Sequence, residues 1–260
     1  GLPSMASRKR VLDAFARRQP DRCPTFIWLH DDALEPLAGA LGVSTWHGLE
    51  EELQIDRWRF AEIETARPDG YEEMLWNFVP DEFRDRDDVV IAGEDGRVLH
   101  VPEGDDAVGE TVLWNPLQAL TSLTEFAEYP FPDLCGLEIP PDFATLVKQR
   151  QQRDSIVSGA VMQPFTYATH VRGFGNVLSD FIIRPEIVEF IYDRICRFNR
   201  MKAEALAEAG VDVLQIAGDI AMEHRLIMSP NLWRRFDKPK LAELIRQVRE
   251  VKPDICIGIH

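Results

Sequence analysis

The chain has 260 residues, of which 45% are apolar, and it carries 29 Lys plus Arg against 44 Asp plus Glu. This apolar content can form a sizeable core and excludes a disordered or fibrous protein. The net charge of −15 repels polyanions over most of the surface. We therefore expect neither a nucleic-acid partner nor binding to acidic lipid surfaces.

The sequence was also searched for membrane spans, signal peptides and paired cysteines. No apolar run approaches the roughly 20 residues that span a bilayer, and no signal-peptide pattern precedes Arg8, so we predict a cytoplasmic protein without a membrane partner. Residues 1–5 look like the remnant of a cleaved tag. The cysteines are far apart and form no C-x-x-C pair, which predicts buried free thiols at Cys23, Cys135, Cys196 and Cys256.

The first half of the chain predicts few regular elements. A helix around residues 8–17 leads into an apolar strand at 23–30, and the stretch "LQIDRWRF" (53–60) predicts a further strand. Residues of about 60–140 contain clusters of Gly, Pro and acidic residues. We interpret them as a partly β segment inserted into a single domain that spans 6–260.

The second half alternates between strands and helices. Short apolar runs at 155–164, 211–216 and 255–260 predict strands, and the segments 185–209 and 229 onward predict helices. Pro185 suits a first helical turn, Gly210 a helix stop and Ser229 an N-cap, whereas Pro239 is expected to kink or split the second helix. This alternation predicts an α/β fold with a parallel sheet.

Four polar residues lie at or near the carboxyl ends of the predicted strands: His30, Gln163, Asp219 and His260. In parallel α/β folds the carboxyl ends of the strands meet on one rim, and functional residues gather there. These residues are therefore candidates for one site. A structural role is an alternative for each, since Asp219 can cap a loop, His30 can lie satisfied in the core and Gln163 can bond only to backbone.

Three longer stretches resemble one family. They are "SRKRVLDAFARRQPDRCPTFIWLH", "MQPFTYATHVRGFGNVLSDF" and, most specific, "AEAGVDVLQIAGDIAMEHRLIMSPNLWRRFDKPKL". They are similar to the opening helix and first strand, the third-strand segment and the Ala-Gly-Val-Asp strand of the uroporphyrinogen decarboxylase superfamily. The resemblance implies a (β/α)8 TIM barrel. The superfamily includes decarboxylases and corrinoid-dependent methyltransferases.

The departures from the family pattern favour one branch. The haem-pathway decarboxylase has an Arg-Gln-Ala-Gly-Arg segment after its first strand to hold substrate carboxylates, and this chain reads "WLHDDALEPLA" there. A family tyrosine three residues before the proline of the long helix is replaced by Ile182. Both differences disfavour decarboxylation of a tetrapyrrole.

The methyltransferase branch implies a cofactor and a set of roles. Some of its members bind zinc through a His-x-Cys pair after strand five. His260 falls on the histidine of that pair, so the resemblance implies that it is a metal or substrate ligand. Methylcobalamin or a corrinoid protein would then carry the methyl group. Asp219 is a catalytic candidate with His260, and the pocket is predicted to be lined by His30, Gln163 and Phe165 of the Pro-Phe-Thr turn. In a decarboxylase, Asp219 or Asp56 would instead hold pyrrole N–H groups.

The resemblance stops after strand five. Strands six to eight, and the cysteine two positions after His260, have no counterpart in these 260 residues. An incomplete barrel would leave an open parallel edge, so we expect a missing segment or a second chain to complete it. Three functions stay open: methyl transfer with a small-molecule substrate, tetrapyrrole decarboxylation, and a non-catalytic partial barrel that binds a partner. The sequence leaves a corrinoid-protein partner and a homo-oligomer open.

Overall fold

The structure is a computed structural model that describes residues 5–29, 31–101 and 111–260. Its helices are α1 (Ser7–Phe15), α2 (Asp31–Leu41), α3 (Trp46–Glu52), α4 (Tyr71–Trp76), α5 (Leu123–Ala127), α6 (Pro132–Cys135), α7 (Phe143–Gln152), α8 (Pro164–Arg172), α9 (Phe174–Ile183), α10 (Pro185–Glu208) and α11 (Pro230–Val251). Its strands are β1 (Trp58–Phe60), β2 (Glu64–Thr65), β3 (Val89–Ile91), β4 (Val98–His100), β5 (Thr111–Trp114), β6 (Leu137–Glu138), β7 (Ile156–Met162), β8 (Val213–Ala217) and β9 (Cys256–Ile259).

The central element is a parallel sheet with the strand order β1-β7-β8-β9. Trp58 pairs with Ile156, Ser158 with Val213, and Val213 with Cys256. The predicted parallel strands at 155–164, 211–216 and 255–260 are therefore confirmed, as is a strand within 53–60. Among the described residues the sheet is open, so it is an α/β fold compatible with a TIM barrel but not a closed one.

The predicted strand at 23–30 is not found. Residues 23–29 are irregular and lie beside β1, where the Phe26 and Trp58 ring centroids are 5.2 Å apart. Pro24 has no N–H to donate, and the N–H of Thr25 binds the Asp56 carboxylate instead of a strand carbonyl. Without a ladder of backbone hydrogen bonds, the segment is packed against the sheet but is not a strand of it.

The long helices cover one face of the sheet. Val157 and Val161 of β7 and Leu214 and Ile216 of β8 pack there with helix residues that include Leu206 and Leu244. A Cβ at Gly159 would come within 2.4–2.5 Å of the methyl groups of Leu206. The close contact between β7 and α10 therefore requires a glycine at position 159 of the strand. Helix α11 is continuous through Pro239, so the split that was one of the two expected effects does not occur, and a kink stays a prediction. Within the described ranges, no helix has both the length and the apolar character needed to cross a membrane.

Helix α1 closes the amino ends of the strands. Arg8 pairs with Asp212 before β8, Arg10 pairs with Asp56 before β1, and the backbone N–H of Ser7 binds Asp154 before β7. These contacts fix one end of the sheet with a buried ion pair, a partly buried one and a hydrogen bond. Ligand access is therefore expected at the opposite end, where the strands terminate at their carboxyl ends.

The segment between β1 and β7 holds two small antiparallel sheets, β2-β6 and β3-β4-β5. Since β1 and β7 are adjacent in the main sheet, this segment leaves and returns between neighbouring strands. The turn between β3 and β4 brings Asp95 and Arg97 to the end of β7, next to α8.

Candidate functional site

Two of the predicted site residues meet at the carboxyl ends of β8 and β9. Asp219 follows β8, His260 follows β9, and Asp219 Oδ1 lies 3.4 Å from His260 Nδ1. Both side chains are 78% exposed. A carboxylate beside an imidazole can orient the ring and stabilise its protonated form, which is the arrangement that a general base uses.

Gln163 holds these strand ends in place. Its Nε2 donates hydrogen bonds to the carbonyl oxygens of Gly218 and His260, both at 2.8 Å. The residue is completely buried, and both donor bonds of its amide go to backbone. The side chain thus positions the residues that carry Asp219 and His260, and its place in a substrate pocket stays a prediction.

Gly218 is required by the backbone geometry next to Asp219. Its φ is +145°, and a Cβ there would lie 2.2 Å from Thr166 Oγ1 and 3.2 Å from Gln163 Cβ. The close approach of the β8 end to α8 leaves no space for a side chain. The Gly-Asp pair in "QIAGDI" thus combines tight packing with an exposed carboxylate.

The remaining predicted binding residues do not reach this site. Phe165 is 1% exposed and its ring packs against Phe174 and Phe181 in the core, because it points inward from the first turn of α8. Asp56 is 1% exposed at the amino end of β1, where it pairs with Arg10 and Arg22. Both side chains are thus packed away from Asp219 and His260, and their substrate-binding roles stay predictions. His30 lies outside the described residues.

A cavity of about 340 Å³ adjoins the strand ends. Its walls come from the ends of β7 and β8, from α8 and α10, and from the inserted segment, and they are mostly apolar. The volume is at the lower end of the roughly 300–1,000 Å³ that ligand pockets occupy. The residues that characterise it are Met162, Tyr167, Phe198, Lys202, Gly218 and Asp95.

An acid–imidazole pair that the sequence reasoning missed stands at this cavity. Asp95, which lines the cavity, accepts from Arg97 and has its Oδ2 2.9 Å from His170 Nδ1. Burial raises the pKa of Asp95, but the hydrogen bonds from His170 and Arg97 outweigh it and hold the pKa below its usual range. Asp95 is thus a buried carboxylate that stays ionised and orients His170.

Tyr167, which lies beside this pair, has a strongly raised pKa. Burial, followed by the charge of Asp95, raises the pKa of Tyr167 well above its ordinary value. Its hydroxyl is buried and, like the hydroxyl of Thr166 one residue earlier, finds no hydrogen-bond partner among the described residues. The wall of the cavity formed by α8 therefore contains hydroxyls whose hydrogen-bonding capacity the protein leaves unused.

Comparison with known proteins shows which family the chain belongs to. Residues 112–260 match the family described as Uroporphyrinogen decarboxylase (URO-D). The chain belongs to the uroporphyrinogen decarboxylase family. A solved structure, "methyltransferase from Methanosarcina mazei", is similar with a TM-score of 0.48 and 17% sequence identity, covering 94% of this chain and 67% of that one. A search of curated proteins finds no match.

The family match separates the site into two parts. The matched residues contain Asp219, His260 and the cavity walls of α8 and α10. Asp95 precedes the matched residues, so the uroporphyrinogen decarboxylase family match does not extend to the acid that orients His170. No signal in the sequence pointed to Asp95, because its partner His170 is 75 residues away and only the fold brings them together.

The described residues do not form a complete metal centre. No group of three or more His, Cys, Asp and Glu side chains with metal-binding geometry occurs in the ranges 5–29, 31–101 and 111–260. Asp219 and His260 are two suitable donors, whereas a structural zinc takes four ligands and a catalytic zinc three from the protein. The residues present therefore do not fit zinc.

Proposed function

We propose that this member of the uroporphyrinogen decarboxylase family is an enzyme that transfers a methyl group between a small methylated substrate, a corrinoid and a thiol or pterin acceptor. The observation that carries the proposal is the contact between Asp219 and His260 at the carboxyl ends of β8 and β9, beside a largely apolar cavity. Family membership and the sequence departures from the decarboxylase pattern support it.

The Asp219–His260 pair suits the proton transfer that methylation of a thiol requires. A thiol attacks as its thiolate, so it must lose a proton before or during transfer. A bound methylcorrinoid would supply the methyl group as an electrophile, and the thiolate sulfur would accept it. His260 would accept the thiol proton, and Asp219 would stabilise the imidazolium that results.

The proposal also includes zinc and a corrinoid protein, which are not part of this chain. The two donors Asp219 and His260 do not fit zinc by themselves, so the proton transfer above is assigned to them alone. A corrinoid protein would have to approach the carboxyl ends of β8 and β9, and both side chains are exposed there.

Decarboxylation of a tetrapyrrole is the second candidate, and the family match itself favours it. Two features of this chain weigh against it. The helix after residues 23–29 begins with Asp31 and Asp32 where the decarboxylase pattern has arginines, and a cavity of about 340 Å³ is small for a tetrapyrrole. A non-catalytic binding role is the third candidate.

One pair of assays separates the candidates. The purified protein is incubated anaerobically with methylcobalamin and 2-mercaptoethanol, and the loss of the methyl–cobalt absorbance is followed. In parallel it is incubated with uroporphyrinogen, and coproporphyrinogen is measured. We expect methyl transfer above the rate without protein and no decarboxylation. Efficient decarboxylation would overturn the proposal, and inactivity in both assays would favour the binding role.

A further inference from the structure

The cavity beside the strand ends has one cationic side chain in its wall, among the described residues. Lys202 of α10 lines it with Ile195, Phe198 and Asn199, which lie three to seven positions earlier and so share its helix face. Phe198 and Ile195 are buried and apolar, and Asn199 binds the carbonyl oxygen of Met162. Lys202 therefore stands at one side of an apolar chamber.

Lys202 has no ion-pair or hydrogen-bond partner among the described residues. This differs from the neighbouring cations of α10, since Arg197 contacts Asp133 and Arg200 contacts Glu204. Lys202 is only half-buried, so its apolar stem packs at the wall while its charge stays free. In a chain of net charge −15, an uncompensated cation at a cavity is a local site of attraction for an anion.

The acidic side chains of the cavity are compensated or solvated. Asp95 is held by Arg97 and His170, so its charge is already balanced by neighbouring donors. Glu94 is exposed to solvent, which screens its charge. Of the three charged residues in the wall, Lys202 is thus the one whose charge a ligand can pair with at least cost.

We propose that this cavity binds a small molecule with an apolar body and one anionic group, a carboxylate being the simplest, which pairs with Lys202. The apolar body occupies the chamber formed by Met162, Ile195 and Phe198. This names the substrate class for the methyl transfer proposed above and rests on that function for its biological meaning. The binding itself does not depend on any reaction.

The test uses three ligands with the same carbon skeleton and different charge: 4-phenylbutyrate, 4-phenyl-1-butanol and 4-phenylbutylamine. Their affinities for the purified protein are measured by titration calorimetry at low ionic strength, without a methyl donor. We expect the carboxylate to bind about tenfold or more tightly than the alcohol, and the amine to bind weakest. Added salt should reduce this preference because it screens the ion pair.

Two variants locate the ion pair. Lys202→Met keeps the apolar stem and should remove the preference for the carboxylate while the alcohol binds as before. Lys148→Met makes the same charge change at an exposed lysine of α7 and should leave all three affinities unchanged. Thermal unfolding of both variants checks that the fold is retained.

Several results would overturn the inference. It fails if none of the three compounds binds, if the alcohol binds as tightly as the acid, or if the amine binds best, since acidic residues would then dominate the cavity. It also fails if Lys202→Met retains the preference. Because no reaction is measured, binding without methyl transfer would contradict only the proposed function, and methyl transfer without carboxylate binding would contradict only the substrate class.

Discussion

Gln163 Nε2 lies 2.8 Å from the carbonyl oxygen of His260, although 97 residues separate the two in sequence. The same amide nitrogen also donates to the carbonyl oxygen of Gly218, so a single buried side chain links the ends of β7, β8 and β9. The placement of Asp219 and His260 next to each other depends on this link.

Replacement of Gln163 by leucine should destabilise the protein. Two carbonyl oxygens that lie in a closely packed region would lose their donor, which costs about 1–3 kcal/mol of unfolding free energy. Urea unfolding measures the change. Gln247→Leu is the control, because among the described residues the amide of Gln247 donates a hydrogen bond only to the exposed Glu243; equal stability of the two variants would contradict the linking role.

Glycine-to-alanine substitutions should have opposite effects at two positions. At Gly218, the φ of +145° and the 2.2 Å approach to Thr166 Oγ1 predict a loss of about 2 kcal/mol or more. At Gly39 in α2, a Cβ meets nothing within 4 Å, so alanine should stabilise the helix by about 0.5–1 kcal/mol. Thermal or urea unfolding reports both, and a neutral effect at Gly218 would show that the strand end is not tightly packed against α8.

Asp237 should make stability depend on pH. It is fully buried and accepts from the Tyr192 hydroxyl, and burial raises its pKa from 3.8 to about 7. Between these values the unfolded chain releases the proton and the folded protein keeps it, so the contribution of Asp237 to the unfolding free energy falls as the pH rises from about 4 to about 7 and is constant above.

Asp237→Asn removes this titration. We expect the variant to be more stable than the parent by on the order of 2 kcal/mol at pH 8 and similar to it at pH 4. Asp81→Asn, at a fully exposed side chain, serves as the control and should follow the parent at every pH. Parallel stability curves for Asp237→Asn and the parent would show that Asp237 is ionised in the fold.

Asp56 should matter for stability and not for ligand binding. Asp56→Ala leaves the buried Arg10 with only part of its ion-pair network, which is expected to cost about 3–5 kcal/mol. Asp88→Ala breaks a surface pair with Arg86 and should cost far less, because solvent screens an exposed pair. Urea unfolding compares them. A variant at Asp56 that unfolds like the parent but loses affinity for 4-phenylbutyrate would restore its binding role.

Sequence patterns correctly predicted the strands that form regular backbone hydrogen-bond ladders with their neighbours. The runs at 155–164, 211–216 and 255–260 are apolar and flanked by clear helix signals, and the structure has β7, β8 and β9 there. The run at 23–30 looks similar in composition. It failed as a strand because the Thr25 N–H is bound by a side chain, which no periodicity reveals.

The site was predictable only in part, for the same reason. The rule that strand ends carry chemistry brought Asp219 and His260 together correctly, because it depends on topology. It could not show that Gln163 turns inward to backbone carbonyls or that Phe165 packs in the core. Asp95, His170 and Lys202 come from a turn and two helices, and they share one region only through tertiary packing.

The most direct test of the account is the rate of methyl transfer from methylcobalamin to a thiol in the parent, Asp219→Asn and His260→Gln proteins. Both side chains are exposed, so the variants should unfold at nearly the same temperature as the parent. If the pair accepts the thiol proton, each substitution should reduce the rate by about tenfold or more at neutral pH, with a smaller effect at a pH where the thiol is already ionised. Equal rates in all three proteins, or no transfer above background in the parent, would contradict the account.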